Sequence, residues 1–347
     1  MTGIRRLAKH LDISIGTVSR ALNGRPDVNE KTRQRVLDAA AELGYVPNQS
    51  GRALRQGTTN TIGFMMQTGR NITGEGDSFF MGVFDGVQTA LARHQLDLVV
   101  LPCSSDQEPD AFLRRVVERG FVDGLIISAT RRQDKRIDFL AQRHIPFITL
   151  GRSQSDAGQP WFDLDFEGMA QTAVDRLVAL GHRRIGIFRP SGEINLGYIF
   201  SERYQQALAA HGIPFDPALL FSTMPNEAGG YEIARQIAAM RNPPTAMVLI
   251  NQLMTVGLYR GLEEVGLRPG RDISIIGQDT LHAHYLAPRL TCFRLSLHDL
   301  GIALAESLLA VIPAYSHLYP FGVVRKIWPM QLIEGESDAL RPERIPA

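Results

Sequence analysis

Thr17, Ser19, Arg20 and Asn23 are hydrogen-bonding side chains on one side of a short stretch with helical spacing, residues 15–22. Hydroxyls and amides of this kind hold DNA phosphates, and residues at the N-terminal end of a recognition helix face base edges. A guanidinium such as that of Arg20 can pair with both major-groove acceptors of a guanine, worth about 1–3 kcal/mol of discrimination. A capped surface helix is the plainer reading of the same residues. The surrounding elements have to decide.

Constellations for catalysis are missing elsewhere. Gly74-Glu75-Gly76 lacks the third glycine and the strand-to-helix setting of a dinucleotide fingerprint, and the chain has neither a P-loop nor a G-x-S-x-G elbow. His282-Ala283-His284 could supply two metal ligands, but no third is spaced with them, so a surface loop is the better reading. The sequence therefore predicts no enzyme, no catalytic residue, no metal and no cofactor.

The head reads as three short helices. Ile4, Leu7, Ala8 and Leu11 recur at helical period, Ser14 can cap a second helix over 15–22, and Asn23-Gly24 ends it. Asn29 caps a third helix, with Val36, Leu37, Ala40 and Leu43 inward and Gly44 as its stop. Two short helices joined by a tight turn, with a third in support, make a helix-turn-helix. Residues 47–57 have few apolar side chains and read as a linker.

From Thr61 the texture changes to strands alternating with helices, which implies parallel sheets covered on both faces. Strands are predicted at 61–66, 97–102, 124–128, 146–150, 184–188, 246–250 and 273–277, with late ones near 322–325 and 330–334. Helices are predicted at 82–94, 109–119, 137–143, 168–180, 203–211, 229–241, 255–265 and near 300–311. The alternation runs once before and once after about Asp165. Two open sheets in succession make a hinged body that binds a ligand in a cleft.

Composition agrees with a folded, multidomain chain: 347 residues, 44% apolar and 21% charged. No apolar run is long enough to span a membrane, and residues 1–11 lack the apolar segment of a secretory signal. Two cysteines make no disulfide framework, which fits a reducing cytoplasm. The net charge of +1 hides an asymmetry: residues 1–60 hold ten Lys/Arg against five Asp/Glu, a net of +5, and the remainder nets −4. A basic head on a mildly acidic body suggests a polyanion-binding module.

The wording "TVSRALNG", the "GYVPN" turn and the "RALRQG" linker resemble the head and hinge of the lactose- and galactose-repressor (LacI/GalR) family of bacterial transcription regulators. Downstream, "FDLDFEG", "LGHRRIGIF", "GRDISIIGQD" and "LAPRLTCFRLSLHDLGIAL" resemble that family's effector-binding core, in the family's order. The resemblance implies an all-α helix-turn-helix head at 1–46 and a hinge at 47–59. An α/β two-lobed, periplasmic-binding-protein-like body with two parallel sheets would then occupy 60–347. Lobe 1 would hold about 60–163 and 292–322, and lobe 2 about 164–291 and 323–347.

It also implies site residues. DNA would be met by Ser14, Ile15, Gly16, Thr17, Ser19, Arg20, Asn23, Asn29, Thr32, Tyr45, Asn48, Gly51, Leu54 and Arg55. Ile15 and Gly16 stand where relatives differ in operator choice, and Leu54 where a leucine pries open a minor-groove step. An effector would be met by Asp163 and Asp279, with Phe79 and Phe80 as stacking aromatics. Asn251 and Arg152 follow predicted strands into the same crevice. Phe200 stands where many relatives carry an effector-gripping arginine, and Arg203 lies nearly one turn later. The partners expected are double-stranded operator DNA, a second copy of the chain and a small effector, a sugar or sugar derivative, with a purine as alternative. A transport-type solute-binding protein shares the two-lobed body but would have no basic head.

Overall fold

The computed structural model describes residues 3–22, 24–45, 58–68, 78–190, 192–279 and 283–340. They fall into two units, residues 1–59 and 60–347.

The first unit holds helices α1 (Ile4–Leu11), α2 (Ile15–Leu22) and α3 (Glu30–Glu42). Each boundary has a local cause. Asp12 takes a left-handed conformation, φ 53°, and stops α1. The Ser14 hydroxyl accepts from the Thr17 amide at 3.0 Å to start α2, and the Asn29 side chain accepts from the Lys31 amide at 2.8 Å to start α3. The three helices bury Leu7, Ala8, Val18, Ala21, Val28, Val36, Ala39 and Ala40 against one another.

The second unit carries two six-stranded sheets. The first contains β1 (Thr61–Gln67), β2 (Asp97–Cys103), β3 (Gly124–Ile127), β4 (Phe147–Leu150), β5 (Trp161–Leu164) and β11 (Arg325–Trp328), in the order β11-β5-β4-β3-β1-β2. All its pairings are parallel. The second contains β6 (Ile185–Phe188), β7 (Leu220–Phe221), β8 (Ala246–Val248), β9 (Ser274–Gln278), β10 (Thr291–Arg294) and β12 (Gln331–Ile333), in the order β12-β10-β9-β8-β6-β7. Only β12 runs antiparallel to its neighbour.

Among the described residues, eight α-helices cover these sheets. Lobe 1 is packed by α4 (Ser78–Ala92), α5 (Pro109–Arg119), α6 (Lys135–Gln142) and the returning α11 (Leu297–Leu309), which lies on α4, β3 and β4. Lobe 2 is packed by α7 (Phe166–Ala179), α8 (Asn195–Ala210), α9 (Glu227–Ala239) and α10 (Gln252–Glu264). Helices α9 and α10 pack directly on each other. A Cβ at Gly257 would lie 1.8 Å from the Glu227 carbonyl oxygen, so only glycine lets those backbones meet.

The expected lobe boundaries shift at two places. Thr291–Arg294 hydrogen-bonds to β9 and β12, so the chain returns to lobe 1 after Arg294 and not at 292. The last strand of lobe 1 is Arg325–Trp328, so the final crossing follows Trp328 and not residue 322. The cause is specific anchoring: Arg325 grips Asp156 with both Nη atoms, and the Trp328 ring meets Phe162 edge-on at 5.6 Å. Strands β5, β7 and β10 were not legible in the sequence. No strand was expected at 161–164, 220–221 or 291–294.

Candidate nucleic-acid interface and ligand cleft

In the head, α2 turns Val18 and Ala21 inward and leaves Ser14, Ile15, Gly16 and Arg20 exposed. Ile15 is 43% exposed, and Leu37 on α3, expected inward, is 42% exposed. The Thr17 and Ser14 hydroxyls bond to each other at 2.9 Å. Arg20 reaches Asp27 at only 3.7 Å, with both side chains more than half exposed. Such a pair is weakly held, and its guanidinium is available to a stronger acceptor. Asn29 and Thr32 lie at the start of α3, where Asn29 acts as its cap, and Tyr45 follows α3 half-buried against the head core. Ser19 is half-buried on α2. Asn23, Asn48, Gly51, Leu54 and Arg55 lie outside the described residues.

In the body, a cavity of about 190 Å³ opens between the lobes at the carboxyl ends of the strands. Phe79, Phe80, Arg152, Asp163 and Asn251 all line it. Asp163, the third residue of β5, is 5% exposed. Burial pushes its carboxyl up from the usual value, and the Arg152 guanidinium opposes that. Arg152 donates from Nε to Asp163 Oδ2 at 2.7 Å and from Nη2 to Glu167 Oε2 at 2.6 Å. Asn251 caps α10: its Oδ1 accepts from the Leu253 and Met254 amides at 3.0 and 3.2 Å, so Nδ2 remains for the cleft. Phe79 and Phe80 begin α4 and meet edge-on at 5.3 Å.

Three expected effector residues are elsewhere. Phe200 is 1% exposed inside the lobe 2 core. Helix α8 starts at Asn195, eight residues before the predicted start at 203, so Ile194 and Leu196 reach the cleft and Phe200 turns inward. Arg203 sits further along the same helix and bonds to Gln206. Asp279 does not line the cavity, because Arg294 Nε donates to its Oδ2 at 2.6 Å and the Cys292 thiol donates to its Oδ1.

Other lining residues escaped the sequence reading. Ser128 follows β3, Gly151 follows β4, and Phe188 and Gln278 end β6 and β9. The rule that found Arg152 and Asn251, looking just past each strand, finds these too once strand ends are known.

Two family models match the chain: "Bacterial regulatory proteins, lacI family" over residues 4–48, and "Periplasmic binding protein-like domain" over 174–337. The HTH-type transcriptional regulator AglR of Rhizobium meliloti (strain 1021) is 32% identical over 99% of this chain and 96% of its own length. The chain belongs to the LacI family. A solved LacI-family regulator from Enterococcus faecium with bound ribose is 28% identical, covers 81% of this chain and 99% of its own, and has a TM-score of 0.67. The lac repressor dimer bound to operator and the anti-inducer ONPF, 22% identical, covers 96% of this chain and 98% of its own at a TM-score of 0.82, and shares the fold. As a LacI-family member the protein is a DNA-binding transcription regulator and not an enzyme, which disposes of the solute-binding alternative. No helix among the described residues is long and apolar enough to cross a membrane.

Proposed function

We propose that this regulator is a cytoplasmic homodimer that represses a carbohydrate-utilisation operon and answers to a neutral sugar held between its lobes. The observation that carries the ligand class is the state of Arg152. Its guanidinium is already shared between Asp163 and Glu167, so it is not free to grip an anionic ligand. The remaining wall combines aromatic side chains, Phe79, Phe80, Phe166 and Phe188, with uncharged polar ones such as Asn251 and Gln278. Apolar faces edged by hydroxyls suit such a wall. The Enterococcus faecium relative with bound ribose supports the same class.

The test is a thermal-shift screen of the purified chain against glucose, galactose, ribose, galacturonate and hypoxanthine. A neutral sugar should raise the melting temperature through mass action, and galacturonate should not. A shift with hypoxanthine alone would transfer the protein to purine control. Selection from random DNA should return near-palindromic sites, because a two-fold dimer reads two-fold DNA.

A further inference from the structure

The last residue of β9 brings a buried amide to the cleft. Gln278 is 5% exposed and lines the cavity, yet its Nε2 has no hydrogen-bond partner among the described residues. Several polar neighbours in the lining are occupied. The Ser128 hydroxyl donates to the Met65 carbonyl, the Thr130 hydroxyl to the Leu150 carbonyl, and Arg152 to two carboxylates. A buried amide donor left unmade is costly, and such groups in native proteins are paired unless something else is meant to pair them.

The adjacent Asp279 is in the opposite condition. Arg294 and the Cys292 thiol occupy one oxygen each, and its side chain stays out of the cavity. Strand alternation explains the division: consecutive residues point to opposite faces, so Gln278 and Asp279 cannot both face the ligand.

We propose that Gln278, and not Asp279, is the specificity-determining residue of lobe 2, donating its amide hydrogen to a ring or hydroxyl oxygen of the bound sugar. This rests on the neutral-sugar reading above. Together with Asn251 Nδ2 it gives lobe 2 two uncharged donors, facing the Asp163 carboxylate across the cleft. A sugar hydroxyl both donates and accepts, so it can be read from the two sides at once.

The experiment uses the full chain with Gln278→Met, which keeps length and removes the polar end, and Gln278→Leu as a second apolar variant. Without sugar, at least one of them should melt above wild type, because the unsatisfied group is gone. With whichever of glucose, galactose or ribose shifts wild type most, affinity should fall about tenfold or more, and Asp279→Asn should lose less than either. Both apolar variants melting below wild type would show that Gln278 is an ordinary structural residue and overturn the inference. Unchanged sugar affinity, or a larger loss in Asp279→Asn, would overturn it as well. If no sugar shifts wild type, the neutral-sugar reading falls and takes the named ligand with it. A rise in melting temperature would still separately uphold the open donor.

Discussion

Arg20 concentrates what a single side chain can do in the head. It is exposed on α2, and among the described residues its ion pair with Asp27 is long and exposed. Arg20→Ala should therefore leave the fold intact while weakening the preferred operator by about 1–3 kcal/mol and random DNA far less. Equal losses on both, measured by fluorescence anisotropy at fixed salt, would make it a phosphate contact. Residue-level legibility was uneven, and the reasons are physical. Capping residues such as Ser14 and Asn29 were readable because a cap is a local bond between neighbours in sequence. Asn251 was readable because it follows a predicted strand, whereas Asp163 came only from the family resemblance, since β5 itself was not legible. Phe200 and Asp279 misled because their orientation depends on where α8 begins and on Arg294, fifteen residues away on another strand.

At the scale of elements, the loop between β3 and α6 shapes lobe 1's share of the cleft, and it hangs on one buried ion pair. Arg136 and Asp134 are both fully buried, with Nη2 and Oδ2 at 2.7 Å. Arg136 Nη2 also donates to the Ser128 and Ala129 carbonyls, and Asp134 accepts from the Arg131 amide, so the pair clamps the loop from both ends. Sequence reading could not find this, because the burial of Arg136 depends on how the loop folds back over it. Removing one partner leaves the other charge buried and unpaired, so Arg136→Leu should cost about 3–5 kcal/mol in urea unfolding. The pH dependence has a definite sign. Burial alone would raise the Asp134 carboxyl, but its bonds to Arg136 win and hold it below the ordinary value. A carboxyl depressed on folding contributes stability at pH values above its unfolded value of about 3.9, lost as pH falls through the lower folded value. The wild-type chain should thus lose stability on acidification below about pH 4, and Arg136→Leu should lose less of it over the same range.

For the whole effector-binding body, the question is what holds two lobes closed. Several bonds join them without any ligand. The Arg132 amide donates to the Glu193 carbonyl and the Asn195 amide to the Thr130 carbonyl, both at 2.9 Å. The Arg132 guanidinium bonds to Glu202 at 2.6 Å and lies 4.8 Å from the centre of the Tyr198 ring. The Asn195 side chain donates to the Arg152 carbonyl at 2.8 Å, and Arg152 itself reaches over to Glu167 at the start of α7. These bonds lie along the cavity's edge, so they strengthen the arrangement that an enclosed effector prefers. A ligand moves such an equilibrium only by binding one arrangement better than the other, and it forfeits affinity in proportion to the fraction not yet closed. Glu202→Ala removes one partly exposed ion pair, worth about 0–1 kcal/mol, and should weaken effector binding by no more than about fivefold. Linkage fixes a second consequence. Effector and DNA act on one equilibrium, so without effector the substitution must move operator affinity opposite to the effector's own effect. Titration calorimetry with the effector and anisotropy with the operator test the two halves on one preparation. Weaker effector binding with unaltered operator affinity would mean that lobe closure is not what the head senses.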